Sequence, residues 1–228
     1  MKIALVTSIL GHYDILKDVS HFKGFDAYCF TDQHFDNSFG WNVIQINKKY
    51  SNIDERVRLC REIKIRIFDF LPNYDIWIWS DSSLTWKVNP LETIQYLGNS
   101  SLATFQYNKR ECIYEEAEAC IQRGKDREEV ILNHMSRYEQ EYFPKKHGLV
   151  ETTLVVRKND VNTFRFCELW WSELTRGSRR DQLSFNYVSW KTEIPFSFLP
   201  GYRLNNPFAD WIQHREIIYN PKTEPAAY

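Results

Sequence analysis

The apolar residues of the chain fall into two alternating patterns, short unbroken runs and longer stretches with helical spacing. Strands that alternate with helices are typical of a mostly parallel sheet covered by helices. We therefore predict an α/β fold with a central, mostly parallel sheet. The strand-length runs occupy residues 2–9, 26–32, 41–46, 74–81, 101–107 and 148–157.

The clearest helical pattern lies at residues 54–71, where Asp54 is the expected N-cap. Its apolar stripe consists of Val57, Cys60, Ile63, Ile67 and Leu71. Its other faces carry the cations Arg58, Arg61, Lys64 and Arg66. A helix that packs this stripe on the sheet would present the cations to solvent or to a ligand. Another helix is expected to open at Asn89-Pro90, and later helices at about 111–123, 127–142, 160–175 and 180–190.

Length and composition fit one globular domain. We predict a single domain over residues 1–228, with a looser tail at about 218–228. Lys and Arg total 29 against 30 Asp and Glu, so no global positive field favours nucleic acid or an anionic membrane. The longest apolar runs fall well short of the ~20 residues that a membrane-spanning helix requires, so we predict no transmembrane segment.

The cysteine pattern bears on the compartment. The five cysteines form an odd set without C-x-x-C spacing, and we expect them to be reduced and buried. This favours the cytoplasm or another reducing compartment, unless the sequence is a domain excised from a longer chain.

Ligands of open α/β sheets bind outside the carboxyl ends of the strands, so polar residues there are the first candidates for a site. Asp81 ends a very apolar strand, and its carboxylate is a hard oxygen ligand suited to Mg²⁺ or Mn²⁺ on a diphosphate. The alternative is that Asp81 begins a turn, and the residues alone favour neither interpretation. Ser83 stands where an Asp-x-Asp motif would place its second carboxylate, which makes metal dependence less certain.

Other positions supply candidates for binding a nucleotide. Asp32 could accept a hydrogen bond from a uracil N–H, and the base pocket would be lined by Thr7, Ser8 and Tyr13. Arg61 and Lys64 lie one helical turn apart and could both contact a diphosphate. Turn residues and a solvated helix face are the structural alternatives, and the residues alone favour those.

Later polar residues are weaker candidates. Glu115 and Glu116 lie on a predicted helix, where exposed charge is the alternative. His147 and His214 could contact an acceptor or a metal, although isolated histidines are more often structural. Another predicted helix starts with Arg180, Asp181 and Gln182, and Asp181 would cap it.

Several motifs follow one another between about residues 56 and 190. They are R-x-x-K-x-x-x-F before YDIWIWSDSSL, then FQYNKRECIYEEAEACI, HGLVETTLVVR, LWWSEL and RRDQLSF. Their order resembles the glycosyltransferase-like family once catalogued as domain of unknown function 616, which includes plant cell-wall and mucilage proteins and chlorovirus glycosyltransferases. The first strand and VTSILGHYD resemble the start of a GT-A domain.

The resemblance implies a GT-A-like fold, a nucleotide-sugar donor and often a divalent metal, Mn²⁺ or Mg²⁺, near the strand-end aspartate. It makes Asp81 a donor or metal contact and Lys64 a diphosphate contact, and Ser83 is the departure from the family pattern. Further active-site positions implied by the resemblance are Arg110, Glu115, Glu116, Glu151, Arg180, Asp181 and Gln182.

These observations predict a glycosyltransferase that passes a sugar, from a UDP-sugar, to a glycan or another hydroxyl acceptor. The acceptor would enter from the side of Glu115, His147 and Asp181. One of those carboxylates would act as base in an inverting reaction, or would stabilise an oxocarbenium-like state in a retaining one. The alternatives are a non-catalytic nucleotide-sugar or glycan-binding module, and a nucleotidyltransferase, which usually needs a glycine-rich loop that VTSILGHYD does not supply.

Overall fold

The computed structural model describes residues 1–213, so His214 and the predicted tail lie outside the described residues. The main strands are β1 Ile3–Ile9, β2 Asp26–Thr31, β3 Asn42–Gln45, β4 Ile76–Ser80, β6 Leu102–Gln106, β7 Val150–Lys158 and β8 Ser197–Leu199. They form one seven-stranded sheet in the order β3-β2-β1-β4-β7-β6-β8. Two short strands, β5 Leu84–Trp86 and β9 Ala209–Trp211, pair in a separate antiparallel ribbon.

The helices are α1 Ile53–Ile65, α2 Ile67–Phe70, α3 Ile113–Gln122, α4 Glu128–Gln140, α5 Val161–Arg176 and α6 Gln182–Thr192. The helix expected after Asn89 is the 3-10 helix Pro90–Leu97, and the Asn89 side chain accepts a hydrogen bond from the Leu91 backbone N–H. Each predicted strand and helix has a counterpart in the structure, with boundary shifts of a few residues.

Strand direction fits the predicted α/β class. Strands β3, β2, β1 and β4 run parallel to one another, whereas β7 runs antiparallel to both β4 and β6. The sheet is therefore mostly parallel, and the fold is GT-A-like. One edge of the sheet brings together the carboxyl ends of β1, β2 and β4 and the amino end of the reversed strand β7.

Side chains that alternate along the strands form a core on each face of the sheet. Trp77 and Trp79 of β4 belong to a hydrophobic cluster that also includes residues of α1, α5 and α6. Ile76 and Ile78 of the same strand join the opposite cluster, together with Phe208. The sheet therefore has a packed hydrophobic core on each of its faces.

Helix α1 begins earlier than the pattern suggested. Asn52, and not Asp54, is its N-cap, because the Asn52 side chain accepts a hydrogen bond from the Glu55 backbone N–H at 3.0 Å. Asp54 instead pairs with Arg58 one turn later, at 2.7 Å. The helix breaks at Arg66, so the predicted single helix is two, α1 and α2.

An irregularity in β7 shapes the edge of the sheet that carries the polar strand ends. The register with β6 passes from Val155 opposite Thr104 directly to Glu151 opposite Phe105. Thr153 lies within the skipped stretch, and its carbonyl accepts a hydrogen bond from the Asp81 backbone N–H at 2.8 Å. Bulges of this kind redirect side chains, and they are common beside active sites.

All five cysteines are free, and four of them are buried. Across residues 1–213, no helix combines the length and apolar character needed to span a bilayer.

Candidate functional site

Asp81 lies where β4 ends, and it is held in place by its neighbours. Its Oδ1 atom accepts a hydrogen bond from Trp79 Nε1 at 2.7 Å. Its side chain is 26% exposed, so the carboxylate is partly accessible from solvent. Asp81 therefore presents a fixed negative charge at the edge of the sheet.

Lys64 of α1 is buried beside this carboxylate. Its Nζ atom lies 3.9 Å from Asp81 Oδ1, and it lies 2.6 Å from Asp181 Oδ2. It also donates a hydrogen bond to Thr152 Oγ1 at 3.0 Å. Only 1% of the Lys64 side chain is exposed, so a position that could have been a solvated helix face is instead part of a charged cluster.

Asp181 is the centre of that cluster. Its Oδ1 atom lies 3.0 Å from Arg61 Nε, and Thr152 Oγ1 donates a hydrogen bond to its Oδ2 atom at 2.8 Å. Burial alone would raise the pKa of this carboxyl, but the charges of Arg61, Lys64 and Arg180 outweigh it and hold the pKa well below its usual range. Asp181 is therefore ionised and fully engaged.

Not every donor of this cluster has a hydrogen-bond partner among the described residues. Within the described part of the chain, the buried Nε atom of Arg180 has no hydrogen-bond partner, and Arg61 Nε faces Asp181 Oδ1 at 3.0 Å without hydrogen-bond geometry. Buried donors without partners are costly, and an anion placed between these side chains would satisfy them. The arrangement suits a phosphate-bearing ligand.

The loop that contains Arg180 and Asp181 is held in place by contacts with α4 and α5. The Ser178 backbone N–H donates to His134 Nδ1 at 3.1 Å, and Trp170 Nε1 donates to the Asp181 carbonyl at 2.9 Å. At Gly177 an added Cβ would lie 2.5 Å from His134 Nδ1, so the loop approaches the ring too closely for a side chain. Packing thus fixes where the cluster lies.

His134 is tied in turn to the buried Glu173. His134 Nε2 lies 2.7 Å from Tyr138 Oη, which donates to Glu173 Oε2 at 3.1 Å. Arg137 and Arg176 also contact this carboxylate. Burial would raise the pKa of Glu173, but the nearby His134, whose Nε2 atom lies 3.8 Å from Glu173 Oε2, and the charge of Arg137 hold it at about 2.

The loop after β1 borders the same edge of the sheet. Both carboxylate oxygens of Asp32 accept the Gly11 backbone N–H, at 2.8 and 2.9 Å. Gly11 has a φ of +73°, and an added Cβ would lie 1.9 Å from Arg56 Nη1. Asp32, which was considered for uracil, therefore also fixes the shape of this loop.

The base-pocket candidates differ in their environment. The hydroxyls of Thr7 and Ser8 are buried, and within the described residues they have no hydrogen-bond partner. Tyr13 is more than half exposed (56%). Loss of water around its hydroxyl raises its pKa, and the charges of Arg61 and Arg180 counteract the shift, so Tyr13 lies near the cationic cluster.

Asp14 is a site residue that sequence reasoning missed. It is buried, and Ser82 Oγ donates to its Oδ2 atom at 3.0 Å, while Lys17 Nζ donates to its Oδ1 atom at 2.9 Å. The contact joins the β1 loop to the loop that contains Asp81. A carboxylate three residues beyond the glycine of VTSILGHYD was the available signal.

Ser83 is buried, and its carbonyl accepts a hydrogen bond from the Ile212 backbone N–H at 2.8 Å. The C-terminal segment therefore passes beside the loop that follows β4. No group of three or more His, Cys, Asp or Glu residues that could hold a metal occurs within residues 1–213. His214, the third metal candidate, is outside that range.

Glu151, at the start of β7, forms a second group with Arg203. The Arg203 backbone N–H donates to Glu151 Oε2 at 3.1 Å, and Arg203 Nε lies 3.2 Å from Glu151 Oε1. Burial raises the pKa of Glu151, Arg203 opposes the shift, and the nearby charge of Asp81 adds to it. The guanidinium of Arg203 lies 4.8 Å from the ring centre of Trp211.

The remaining candidates occupy other positions. Arg110 Nη1 donates to the buried Glu116 Oε2 at 2.6 Å, while Glu115 is exposed on the same helix. Gln182 Nε2 donates to the Val150 carbonyl at 2.8 Å, so this side chain binds the backbone at the start of β7. His147 is exposed and packs its ring edge-on against Phe143, with ring centres 5.3 Å apart.

Comparison with known proteins gives one family. The sequence model for the family described as TOD1/MUCI70, glycosyltransferase-like domain, matches residues 6–200. That range contains the cationic cluster, the Asp81 loop and Glu151. Among curated proteins, none matches this chain.

Proposed function

Because the chain belongs to the TOD1/MUCI70 glycosyltransferase-like domain family, we propose that it transfers a sugar from a nucleotide-sugar donor, a UDP-sugar, to a glycan or another hydroxyl acceptor. The observation that carries the proposal is the position of Lys64, whose Nζ atom contacts Asp181 at 2.6 Å and lies 3.9 Å from Asp81. The contact gathers charges of both signs at the edge of an α/β sheet where ligands usually bind.

The donor diphosphate lies against the cationic cluster in this proposal. Arg61, Lys64 and Arg180 share one buried carboxylate, Asp181, so the cluster has positive charge in excess. The charge that grows on the diphosphate as the sugar leaves is stabilised by such fixed cations. The buried Nε donor of Arg180, which has no hydrogen-bond partner among the described residues, supports this role.

Asp181 acts here as a positioning residue, although the sequence suggested it as a catalytic base. A carboxylate with a pKa held far below its usual range is a poor proton acceptor, because the optimal base has a pKa near the working pH. Its contacts instead hold Arg61 and Lys64 in fixed orientations.

The nucleotide lies over the loop after β1. The buried hydroxyls of Thr7 and Ser8 offer hydrogen bonds that are not used within the described residues. Tyr13 belongs to this loop and lies near Arg61 and Arg180, where its ring can cover the ribose or the base. Asp32 supports the pocket by holding the Gly11 backbone N–H.

The described residues offer few ligands for a divalent metal. Asp81 supplies a single carboxylate, one oxygen of which already accepts a hydrogen bond from Trp79 and faces the Lys64 ammonium. The Ser83 side chain is buried, and a hydroxyl is a weaker ligand than a carboxylate. The proposed reaction therefore uses the protein cations and includes no step through a metal.

Release of nucleoside diphosphate tests the proposal. Purified protein is incubated with UDP-glucose, UDP-galactose, UDP-N-acetylglucosamine and GDP-mannose, with and without Mn²⁺, and UDP or GDP release is measured. We expect one UDP-sugar to be turned over, and Asp81→Asn to abolish turnover. Asp36→Asn, at an exposed loop position, is the matched control.

Full turnover by a folded Asp81→Asn variant would remove the proposed site. Tight UDP binding by the wild-type protein without turnover of any donor would instead favour a non-catalytic nucleotide-sugar-binding module.

A further inference from the structure

A buried histidine packs against the loop that contains Arg180 and Asp181. His134 of α4 is 2% exposed, and its Nδ1 atom accepts a hydrogen bond from the Ser178 backbone N–H at 3.1 Å. The other ring nitrogen, Nε2, lies 2.7 Å from Tyr138 Oη. The ring therefore joins the loop to a chain of buried hydrogen bonds between α4 and α5.

The two ends of this chain fix which ring nitrogen of His134 carries the proton. At one end a backbone N–H can only donate, so Nδ1 has to be the unprotonated nitrogen. At the other end Glu173, whose pKa is about 2, is ionised and accepts a hydrogen bond from Tyr138 Oη at 3.1 Å. The Tyr138 oxygen then accepts from His134 Nε2–H. Both ends require the same neutral ring, protonated at Nε2.

The charged groups around the ring are consistent with this neutral form. Glu173 Oε2 lies 3.8 Å from His134 Nε2, and Arg137 of α4 and Arg176 of α5 both contact the Glu173 carboxylate. Burial lowers the pKa of His134 and outweighs the opposing effect of Glu173, while Arg137 and Arg176 add to the lowering. The ring is therefore neutral at about pH 7.

Other contacts hold the loop in register with α1 and α4. Arg58, one turn before Arg61 on α1, donates through Nη2 to the Gly177 carbonyl at 3.0 Å. On the other side, the Asp126 carboxylate accepts a hydrogen bond from Ser178 Oγ at 2.7 Å. Loss of the acceptor at Nδ1 would leave the buried Ser178 N–H without a partner, a cost that a shift of the loop would relieve. Such a shift would move the side chains that follow in the loop.

We propose, on the basis of the function proposed above, that His134 is a positioning residue for donor binding, and that its Nε2-protonated ring holds Arg180 and Asp181 where the cationic cluster binds the diphosphate. The ring is buried against the loop, so it acts through the loop and does not contact the donor. Glu173 selects the required form of the ring through Tyr138.

Two substitutions separate the acceptor at Nδ1 from the packing of the ring. In His134→Asn the side-chain oxygen takes the place of Nδ1 and can accept the Ser178 N–H. In His134→Gln the amide reaches the place of Nε2 and leaves that N–H without an acceptor. Both variants lose the ring, and both should have a lower melting temperature than wild type. His21→Gln, at an exposed loop position, is the control.

Calorimetric titrations with UDP and with uridine compare these proteins. We expect His134→Gln to weaken UDP binding by about tenfold, as for the loss of one hydrogen bond, and His134→Asn to stay within about threefold of wild type. Uridine binding should not change, because uridine carries no diphosphate, and His21→Gln should match wild type. Equal UDP affinity in wild type and a folded His134→Gln, or equal losses in His134→Gln and His134→Asn, would overturn the role of His134.

NMR of the ¹⁵N-labelled wild-type protein gives a second test, which needs neither UDP nor a folded His134→Gln variant. Correlations between ring nitrogens and ring protons at about pH 7 show which nitrogen carries the proton, and the His134 signals are those missing from His134→Asn. We expect the proton on Nε2, and a proton on Nδ1 or a doubly protonated ring would overturn the proposal.

The two tests also distinguish this proposal from the function on which it rests. A wild-type protein with the expected ring but no affinity for UDP or any nucleotide sugar would overturn the proposed function, and with it the role of His134 in donor binding. Wild-type UDP binding that His134→Gln leaves unchanged would overturn the role of His134 alone.

Discussion

Lys64 and Asp181 are 117 residues apart in the sequence, and their side chains form a buried ion pair with Nζ and Oδ2 2.6 Å apart. The pair joins α1 to the loop before α6, and it places a cation beside Asp81. Removing one partner of a buried pair leaves an uncompensated charge, so such pairs are sensitive to substitution even where they add little net stability. The site and the stability of the fold are therefore linked at this point.

A double-mutant cycle measures that link. Lys64→Met and Asp181→Asn should each lower the free energy of unfolding, and the two effects should deviate from additivity by roughly 1–3 kcal/mol because the side chains are in contact. Urea unfolding of the four proteins gives the values. Additive effects would show that the pair contributes no coupling energy to the folded state.

Glu173, which helps to hold the loop of Arg180 and Asp181 through His134, predicts how the stability of the fold depends on pH. The pKa of Glu173 is lowered from 4.5 to about 2, so its ionised form stabilises the fold above about pH 4.5, and that contribution is lost as the pH falls towards 2. Its size is roughly 3 kcal/mol, at 1.36 kcal/mol per pKa unit.

Glu173→Gln should therefore be less stable than wild type at pH 7, and the difference should shrink as the pH falls from 4.5 to 2. Urea unfolding across that range measures it, with the exposed Glu168→Gln on the same helix as control. A difference that stays constant with pH would contradict the assigned ionisation of Glu173.

The metal dependence follows from the ligands around Asp81. Mn²⁺ alone should leave the melting temperature unchanged, because Asp81 is a single carboxylate that faces the Lys64 ammonium. Any effect of Mn²⁺ should require UDP, whose phosphates would supply the missing ligands. A thermal-shift experiment with Mn²⁺, UDP and both together checks this, and a shift with Mn²⁺ alone that disappears in Asp81→Asn would contradict it.

Much of the fold was predictable because its signals are local. The apolar runs and the stripe of Ile63 and Ile67 gave the strands and the helix packed on them. The N-cap was misplaced at Asp54, because an aspartate at the start of an apolar stripe looks like a cap even when Asn52 precedes it. The family followed from the order of the motifs, and the match over residues 6–200 confirms it.

The arrangement of the site was only partly predictable, because its contacts are long-range. Lys64 looked like part of a solvated helix face, and only its pairing with Asp181 explains why it is buried. Arg203 belongs to no motif, Asp14 only ends VTSILGHYD, and their partners Glu151 and Ser82 are distant in the sequence. Such pairs depend on how β7 and the C-terminal segments meet the edge of the sheet.

The central claim, that the cationic cluster binds the donor diphosphate, is tested most directly at Arg61. This residue lies 3.0 Å from Asp181, which keeps Lys64 as a partner when Arg61 is replaced, so Arg61→Met should fold. Calorimetric titrations with UDP and with uridine compare wild type, Arg61→Met and Arg165→Met, an exposed control on α5. We expect Arg61→Met to weaken UDP binding by roughly ten- to a hundredfold and to leave uridine binding unchanged, because only UDP carries the diphosphate. Equal UDP affinity in wild type and Arg61→Met would contradict the claim.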